Sequence, residues 1–304
     1  MNRAEVSQNT GTDVLPEWAS NLGVALRFVA RFLPSATAKF MATIWFKPFM
    51  PKQKSHISEW QNSADVQLDL VKGQAFLFEG NSRQEQQEKP LVVCVHGWRG
   101  RAHQLRRFLP PLIDNGFRVV MVNLPGHNDG DPNQTHIYEC ADVIEEISQQ
   151  LGKIDTIIAH SFGAPASTLS LNENNSVRKL VVLAGNFDIA YLLKQYAGAF
   201  GLDHLVSRID GHLKRICDKR IFKGAWENLT LETVIQKLDY AQDVQFWHDL
   251  EDTEINIDAN QKIHQYLLNK QKISHLNEVE NVGHFNILKS KHVITSIVNG
   301  LVDR

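Results

Sequence analysis

Cysteine is the rarest guide in this chain of 304 residues: Cys94, Cys140 and Cys217 are odd in number, far apart and in no C-x-x-C pair. A disulfide framework and a zinc knuckle are thereby excluded, and a reducing, cytoplasmic setting is expected. Charge of one sign is also lacking. Lys and Arg number 32 and Asp and Glu 34, a net charge of −2, and no basic stripe runs through the body of the chain, so no nucleic-acid partner is expected. Internal repeats and low-complexity tracts are missing too. No uninterrupted apolar run reaches the ~20 residues of a membrane span. What is present is ordinary for a globular enzyme, with 43% hydrophobic and 22% charged residues, and excludes disorder and fibre.

Acid is absent from one stretch altogether. Between Ala19 and Ser58 stand Arg27, Arg31, Lys39, Lys47, Lys52 and Lys54 and no Asp or Glu, around the apolar and basic segment LGVALRFVARFLPSATAKFMATIWFKPF (22–49). A secretory signal would set its positive charges before an unbroken apolar run, whereas here polar residues 1–20 come first and charges interrupt the run. Arg27, Arg31 and Pro34 deny the segment a membrane span as well. The pattern predicts an amphipathic helix broken at Pro34 and a second helical piece, within an N-terminal helical extension over residues 1–60. Such a pair either packs on the main domain or offers residues 22–49 to anionic lipid or to a second copy in a homodimer.

Downstream the punctuation is regular. DVQLDLVKGQAFLFEG (65–80) alternates polar and apolar around Lys72-Gly73, the mark of an antiparallel hairpin. PLVVCVHGW (90–98) reads as a buried strand ending at His-Gly, followed by a helix from Leu105 to Asn115. FRVVMVNLPGH (117–127) is another buried strand, Ile137 to Leu151 a helix, and KLVVLAG (179–185) a further strand. Strands alternating with helices at this spacing predict an α/β protein with a mostly parallel sheet flanked by helices. From Asn186 to Asp239 the character is helical throughout, and strand-like runs resume at DVQFWHD (243–249) and SHLNEV (274–279). The expected organisation is therefore a core of 61–185 and 240–304 interrupted by a helical lid at 186–239, over the strand ends where open α/β sheets bind ligands.

The stretch IIAHSFGAPAS (157–167) drives an apolar strand into His-Ser among small residues. In a G-x-S-x-G elbow the serine occupies a strained strand-to-helix turn, and the positions two before and two after it must be small. Ala159 and Gly163 hold those positions around Ser161, the first departing from Gly by one methyl group.

The order of HGW, LPGH, AHSFG, HDLEDTEI and VGHFN along the chain resembles the α/β-hydrolase family, in particular its bacterial esterase-like members with a helical lid. The resemblance covers residues 65–304 and implies the α/β-hydrolase fold. Carried over by position, it makes Ser161 the nucleophile, His284 the general base and Asp252 the orienting acid. Asp249, Glu251 and Asp188 remain open as the acid, because Asp249 stands where the family's turn has Gly. The oxyanion hole would be the backbone N–H groups of Trp98 and Phe162.

A serine hydroxyl is a poor nucleophile until an imidazole takes its proton, and a carboxylate fixes that imidazole's tautomer. The chain order Ser, Asp, His is that of this fold. A serine nucleophile argues against dehalogenase and epoxide-hydrolase chemistry, which in this family uses Asp. Ester, thioester, amide and carbon–carbon hydrolysis stay open. No cofactor and no metal is expected, since His96 and His127 lack partners at ligand spacing and read as structural hydrogen-bonding residues. The favoured reading is a carboxylesterase-like serine hydrolase acting on small-molecule esters of short to medium acyl chain. The alternative is a hydrolase-fold binding or scaffold protein that acts at a membrane or partner through its basic N-terminus. Phe187, Ile189, Tyr191, Leu192, Leu193, Tyr196 and Phe200, at the start of the inserted segment, divide between the lid's own packing and the approach to Ser161.

Overall fold

A computed structural model describes residues 18–80, 89–129 and 134–302. Residues 1–17, the start of the expected extension, lie outside the described residues. Helix α1 (Trp18–Phe32) stops before Pro34, which opens α2 (Pro34–Ile44) from its first turn, where a missing N–H costs nothing. The break expected at Pro34 is there. A short α3 (Ser55–Gln61) leads into strands β1 (Val66–Leu68) and β2 (Gln74–Phe78), an antiparallel pair. Gly73 takes φ +73° in their turn, and a Cβ there would meet the Asn123 carbonyl at 2.6 Å.

The sheet then alternates with helices. Strand β3 (Leu91–Val95) is followed by a 3₁₀ helix (Ala102–Phe108) that passes into α4 (Leu109–Asp114). A single helix from Leu105 was expected. Pro110 and Pro111 fit only the first turn of an α-helix, so the α-helix starts there and the preceding residues take the tighter form. Next come β4 (Arg118–Asn123), α5 (Ile137–Leu151), β5 (Ile154–His160), α6 (Gly163–Leu169) and β6 (Val177–Leu183). Helices α7 (Ile189–Ala199), α8 (Val206–Arg220) and α9 (Leu231–Lys237) separate β6 from β7 (Ala241–Asp249). The chain closes with α10 (Asp258–Asn269), β8 (Ile273–Val279), α11 (Gly283–Asn286) and α12 (Lys291–Val302).

The strands form one eight-stranded sheet in the order β1-β2-β4-β3-β5-β6-β7-β8. Pairing is antiparallel from β1 to β2 and β2 to β4, and parallel everywhere else. Both faces are covered. On β3, Val93 and Val95 enter one core while Val92 and Cys94 enter the other, as the period of two demands. That double burial is why the central strands read as continuous apolar runs. The three cysteines are free and buried.

The N-terminal helices pack chiefly on the segment inserted between β6 and β7. Arg27 Nη1 donates to the Phe200 carbonyl at 3.0 Å, and Tyr196 Oη donates to the Met41 carbonyl at 2.9 Å. Trp45 meets Tyr196 edge-on at 5.0 Å and Trp226 at 6.0 Å between ring centres. Phe187, Leu193 and Phe200 are buried, and Ile189 and Tyr196 pack against the same core. Most of the inserted segment's leading apolar set is thus consumed by packing, and Tyr191 and Leu192 stay half-buried.

Candidate active site

Strand β5 ends at His160 and α6 begins at Gly163, leaving Ser161 in the turn with φ +50°. For a non-glycine residue this left-handed backbone stores about 1–3 kcal/mol and persists only where surroundings over-determine it. Here they do. The Ser161 amide donates to the Leu183 carbonyl at 2.9 Å, and the Ala164 amide to the Ser161 carbonyl at 3.0 Å. A Cβ at Gly163 would lie 2.6 Å from the His96 carbonyl and 2.8 Å from that of Val95, so the helix presses directly on the end of β3. Gly97 is as constrained from the other side, since a Cβ there would meet the Ser161 Cβ at 2.9 Å.

The carboxylate and imidazole arrive from the ends of β7 and β8. His284 Nδ1 donates to Asp252 Oδ2 at 2.8 Å, and the Asp252 side chain is 1% exposed. The other oxygen, Oδ1, accepts from the amides of Glu254 at 2.8 Å and Ile255 at 3.0 Å. Burial alone pushes the Asp252 carboxyl up, but the hydrogen bond and charge of His284 and these two amides outweigh it and hold the group below the usual range. In its neutral form, with the Nδ1 proton committed to Asp252, the His284 ring carries a bare Nε2. Ser161 and His284 share no hydrogen bond at rest; such contacts are often long without substrate and tighten with it.

His284 stands against the elbow through the residue before the serine. The rings of His160 and His284 are 4.8 Å apart. Phe285 packs edge-on against His284 at 4.9 Å, and Trp98 against Phe162 at 5.0 Å, so aromatic surface flanks the site on two sides. Among the described residues neither the Trp98 nor the Phe162 amide meets an acceptor. A serine on a strained turn, and an imidazole backed by a charged carboxylate, are the groups that acyl transfer uses.

The other acidic candidates lie elsewhere. Asp188 caps α7, accepting from the Tyr191 amide at 2.9 Å, and Glu251 is exposed. Asp249 is buried at 1% exposure and accepts from the amides of Val282 and Gly283, both at 2.5 Å, and of Glu251 at 2.8 Å. It braces the loop that delivers His284 and does not touch the imidazole. Nothing in the spacing of Asp249 and Asp252 distinguishes brace from partner. His248 is a further buried neighbour: Nε2 donates to the Ile255 carbonyl at 2.9 Å and Nδ1 accepts from Asn260 at 2.7 Å.

His96 accepts the Leu124 amide at 3.0 Å on Nε2 and donates from Nδ1 to the Gly97 carbonyl at 2.7 Å, tying the loop after β3 to the one after β4. His127 Nδ1 pairs with the Pro125 carbonyl at 2.9 Å. Among the described residues no group of three His, Cys, Asp or Glu side chains is placed to hold a metal ion. A cavity of about 510 Å³, lined by Phe46, Lys72, His136, Glu139, Ile216 and Arg220 among others, contains none of Ser161, Asp252 and His284. Cavity volume and the candidate residues therefore fall in different places on the molecule.

A sequence model of the alpha/beta hydrolase family matches residues 92–288. Among solved structures, the monoacylglycerol lipase of Paleococcus ferrophilus is 16% identical with a TM-score of 0.54, over 77% of this chain and 98% of that one. Est1E from Butyrivibrio proteoclasticus is 15% identical with a TM-score of 0.54, over 79% and 98%. An esterase of Pyrococcus furiosus is 12% identical with a TM-score of 0.57, over 83% and 96%. At such identities the likeness is one of fold. No curated protein sequence matches the chain.

Proposed function

This chain belongs to the alpha/beta hydrolase family, and from that premise we propose that it is a serine hydrolase cleaving uncharged carboxylic esters of short to medium acyl chain through an acyl-enzyme. The observation that carries the reading is the buried 2.8 Å hydrogen bond between His284 and Asp252, beside a serine held at φ +50°.

Each step follows from a named atom. Ser161 Oγ attacks the ester carbonyl while His284 Nε2 takes its proton, and Asp252 stabilises the imidazolium that forms. Negative charge on the carbonyl oxygen is met by the amides of Phe162 and Trp98, which need no reorganisation; losing one such donor typically costs about 2.7–4 kcal/mol. The imidazolium then protonates the departing alkoxide. Water, activated by the same Nε2, releases the acid and restores the serine. Trp98, Phe162 and Phe285, packed at the elbow and against His284, favour an uncharged substrate, and each acyl CH₂ they cover is worth about 0.8 kcal/mol. The helical segment 186–239 would act as the lid over this site.

The test is labelling with a serine-reactive phosphonate alongside a panel of p-nitrophenyl esters of increasing chain length. Wild type is expected to label once and Ser161→Ala not at all, with ester hydrolysis lost in step. Hydrolysis by Ser161→Ala within tenfold of wild type would sink the reading.

A further inference from the structure

Helix α1 turns Leu26 and Ala30, at 8% and 4% exposure, toward the body of the protein. A helix buried on one face ordinarily presents polar side chains on the other. This one does not. Val24, Phe28 and Phe32, spaced one turn apart, are 60%, 65% and 70% exposed, and Leu33 follows at 58%. Phe28 and Phe32 stack edge-on at 5.5 Å, and Phe40 of α2 is 43% exposed. Exposed Arg27, Arg31 and Lys39 accompany this apolar surface, and no acidic residue occurs between Ala19 and Ser58.

We propose that this face of α1 and α2 docks the protein on an anionic phospholipid surface, lying in the interface with Phe28 and Phe32 inserted and Arg31 and Lys39 among the headgroups. Two observations choose lipid over a second copy of the chain. A two-fold dimer pairs a patch with itself, so Arg27, Arg31 and Lys39 would face their own likes. With no Asp or Glu from 19 to 58 the patch offers those cations no partner of its own, whereas lipid phosphates do. An apolar helix face accompanied by Lys and Arg is also the pattern of an interfacial helix, and among the described residues no helix is long and apolar enough to span the bilayer. Because α1 and α2 are bonded to α7 through Arg27, Tyr196 and Met41, docking would bring the helical layer between β6 and β7 to the lipid with them. The inference does not depend on the reaction proposed above.

Co-sedimentation of the full chain with phosphatidylcholine vesicles, with or without phosphatidylglycerol, tests it. The anionic vesicles are expected to bind at least about tenfold more tightly, with affinity falling as salt rises. The Phe28→Ser, Phe32→Ser double variant should lose about tenfold or more in binding while keeping its melting temperature, since both side chains are already exposed. Arg31→Glu with Lys39→Glu should remove the preference for anionic lipid. Failure of wild type to bind anionic vesicles, or equal binding by the serine double variant, would overturn the proposal. So would light scattering that shows a wild-type dimer split into monomers by the same double variant.

Discussion

His160 donates its Nε2–H to the backbone carbonyl of His284 at 2.9 Å, tying the residue before the elbow serine to the residue proposed as base. The ring is 1% exposed, and burial together with the nearby His284 charge pushes its pKa down to about 3. It is therefore a neutral strut at any ordinary pH. A glycine at 97 makes room for it, because a Cβ there would lie 3.0 Å from His160 Nδ1.

His160 is thus a positioning residue, and its removal should act on turnover. Replacing it with Phe fills the space but leaves the His284 carbonyl unpaired, so kcat should fall by about tenfold or more with KM little changed. Gln, which restores a donor, should recover part of the loss. Because His160 titrates so low, neither variant should move a kinetic ionisation above pH ~5. Steady-state kinetics across pH on a p-nitrophenyl ester check this, and a KM effect without a kcat effect would show that His160 shapes the substrate site instead.

Asp252 and Asp249 should separate by kind of defect. Asp252→Asn leaves the fold but favours the wrong imidazole tautomer, so kcat should fall by about three to four orders of magnitude. Asp249→Ala strands three amides, those of Glu251, Val282 and Gly283, that make charge-assisted bonds, each worth about 1.5–3 kcal/mol, so its first effect should be on stability. Asp249→Asn keeps one accepting oxygen and should fall between. Urea denaturation beside kinetics discriminates them; a stable Asp249→Ala with a dead active site would make Asp249 a catalytic partner.

The elbow, the hairpin at Gly73 and the alternation of strands and helices were legible because each is local: small residues flanking a serine, a Lys-Gly turn, runs of β-branched residues. Pro34 announced its helix break for the same reason. What escaped the sequence is long-range. The His160 bond spans 124 positions and has no local pattern to betray it. Asp249 and Asp252 sit three residues apart in one acidic turn, and only the arrival of residues 282–284 from the next strand gives them different work. The apolar stretch opening the inserted segment was equally ambiguous, since Tyr196 and Phe200 are taken up by contacts with Trp45 and Arg27 from the other end of the chain.

Stability should decline as pH falls from about 6.5. Burial holds His127 down to about 4 and His160 down to about 3, whereas each would titrate near ~6.5 in the unfolded chain. Below that value the unfolded state binds protons that the native state refuses, so folding loses about 1.4 kcal/mol per pH unit for each ring. The loss continues until pH reaches the native values, and above about 6.5 these groups contribute no slope. Between about pH 6 and pH 5 the pair alone should therefore remove about 2–3 kcal/mol. Denaturant midpoints at neutral and mildly acid pH measure this, and a flat profile across that interval would mean that both rings are protonated in the folded protein.

The strain at the elbow predicts an unusual ranking of inactive variants. Ser161 holds φ +50°, which glycine adopts freely and alanine does not. Ser161→Ala keeps the strain and loses only the hydroxyl, so its stability should stay near that of wild type. Ser161→Gly releases the strain but gives the unfolded chain more freedom, a cost of about 0.4–1 kcal/mol that offsets part of the gain. With about 1–3 kcal/mol stored at the turn, the glycine variant should still come out more stable than the alanine variant, by roughly 1 kcal/mol. Both should be inactive on esters. Elsewhere on the central sheet a glycine in place of alanine weakens the fold, so a Ser161→Gly protein that melts below Ser161→Ala would show that the turn at Ser161 is relaxed and that nothing is held under tension there.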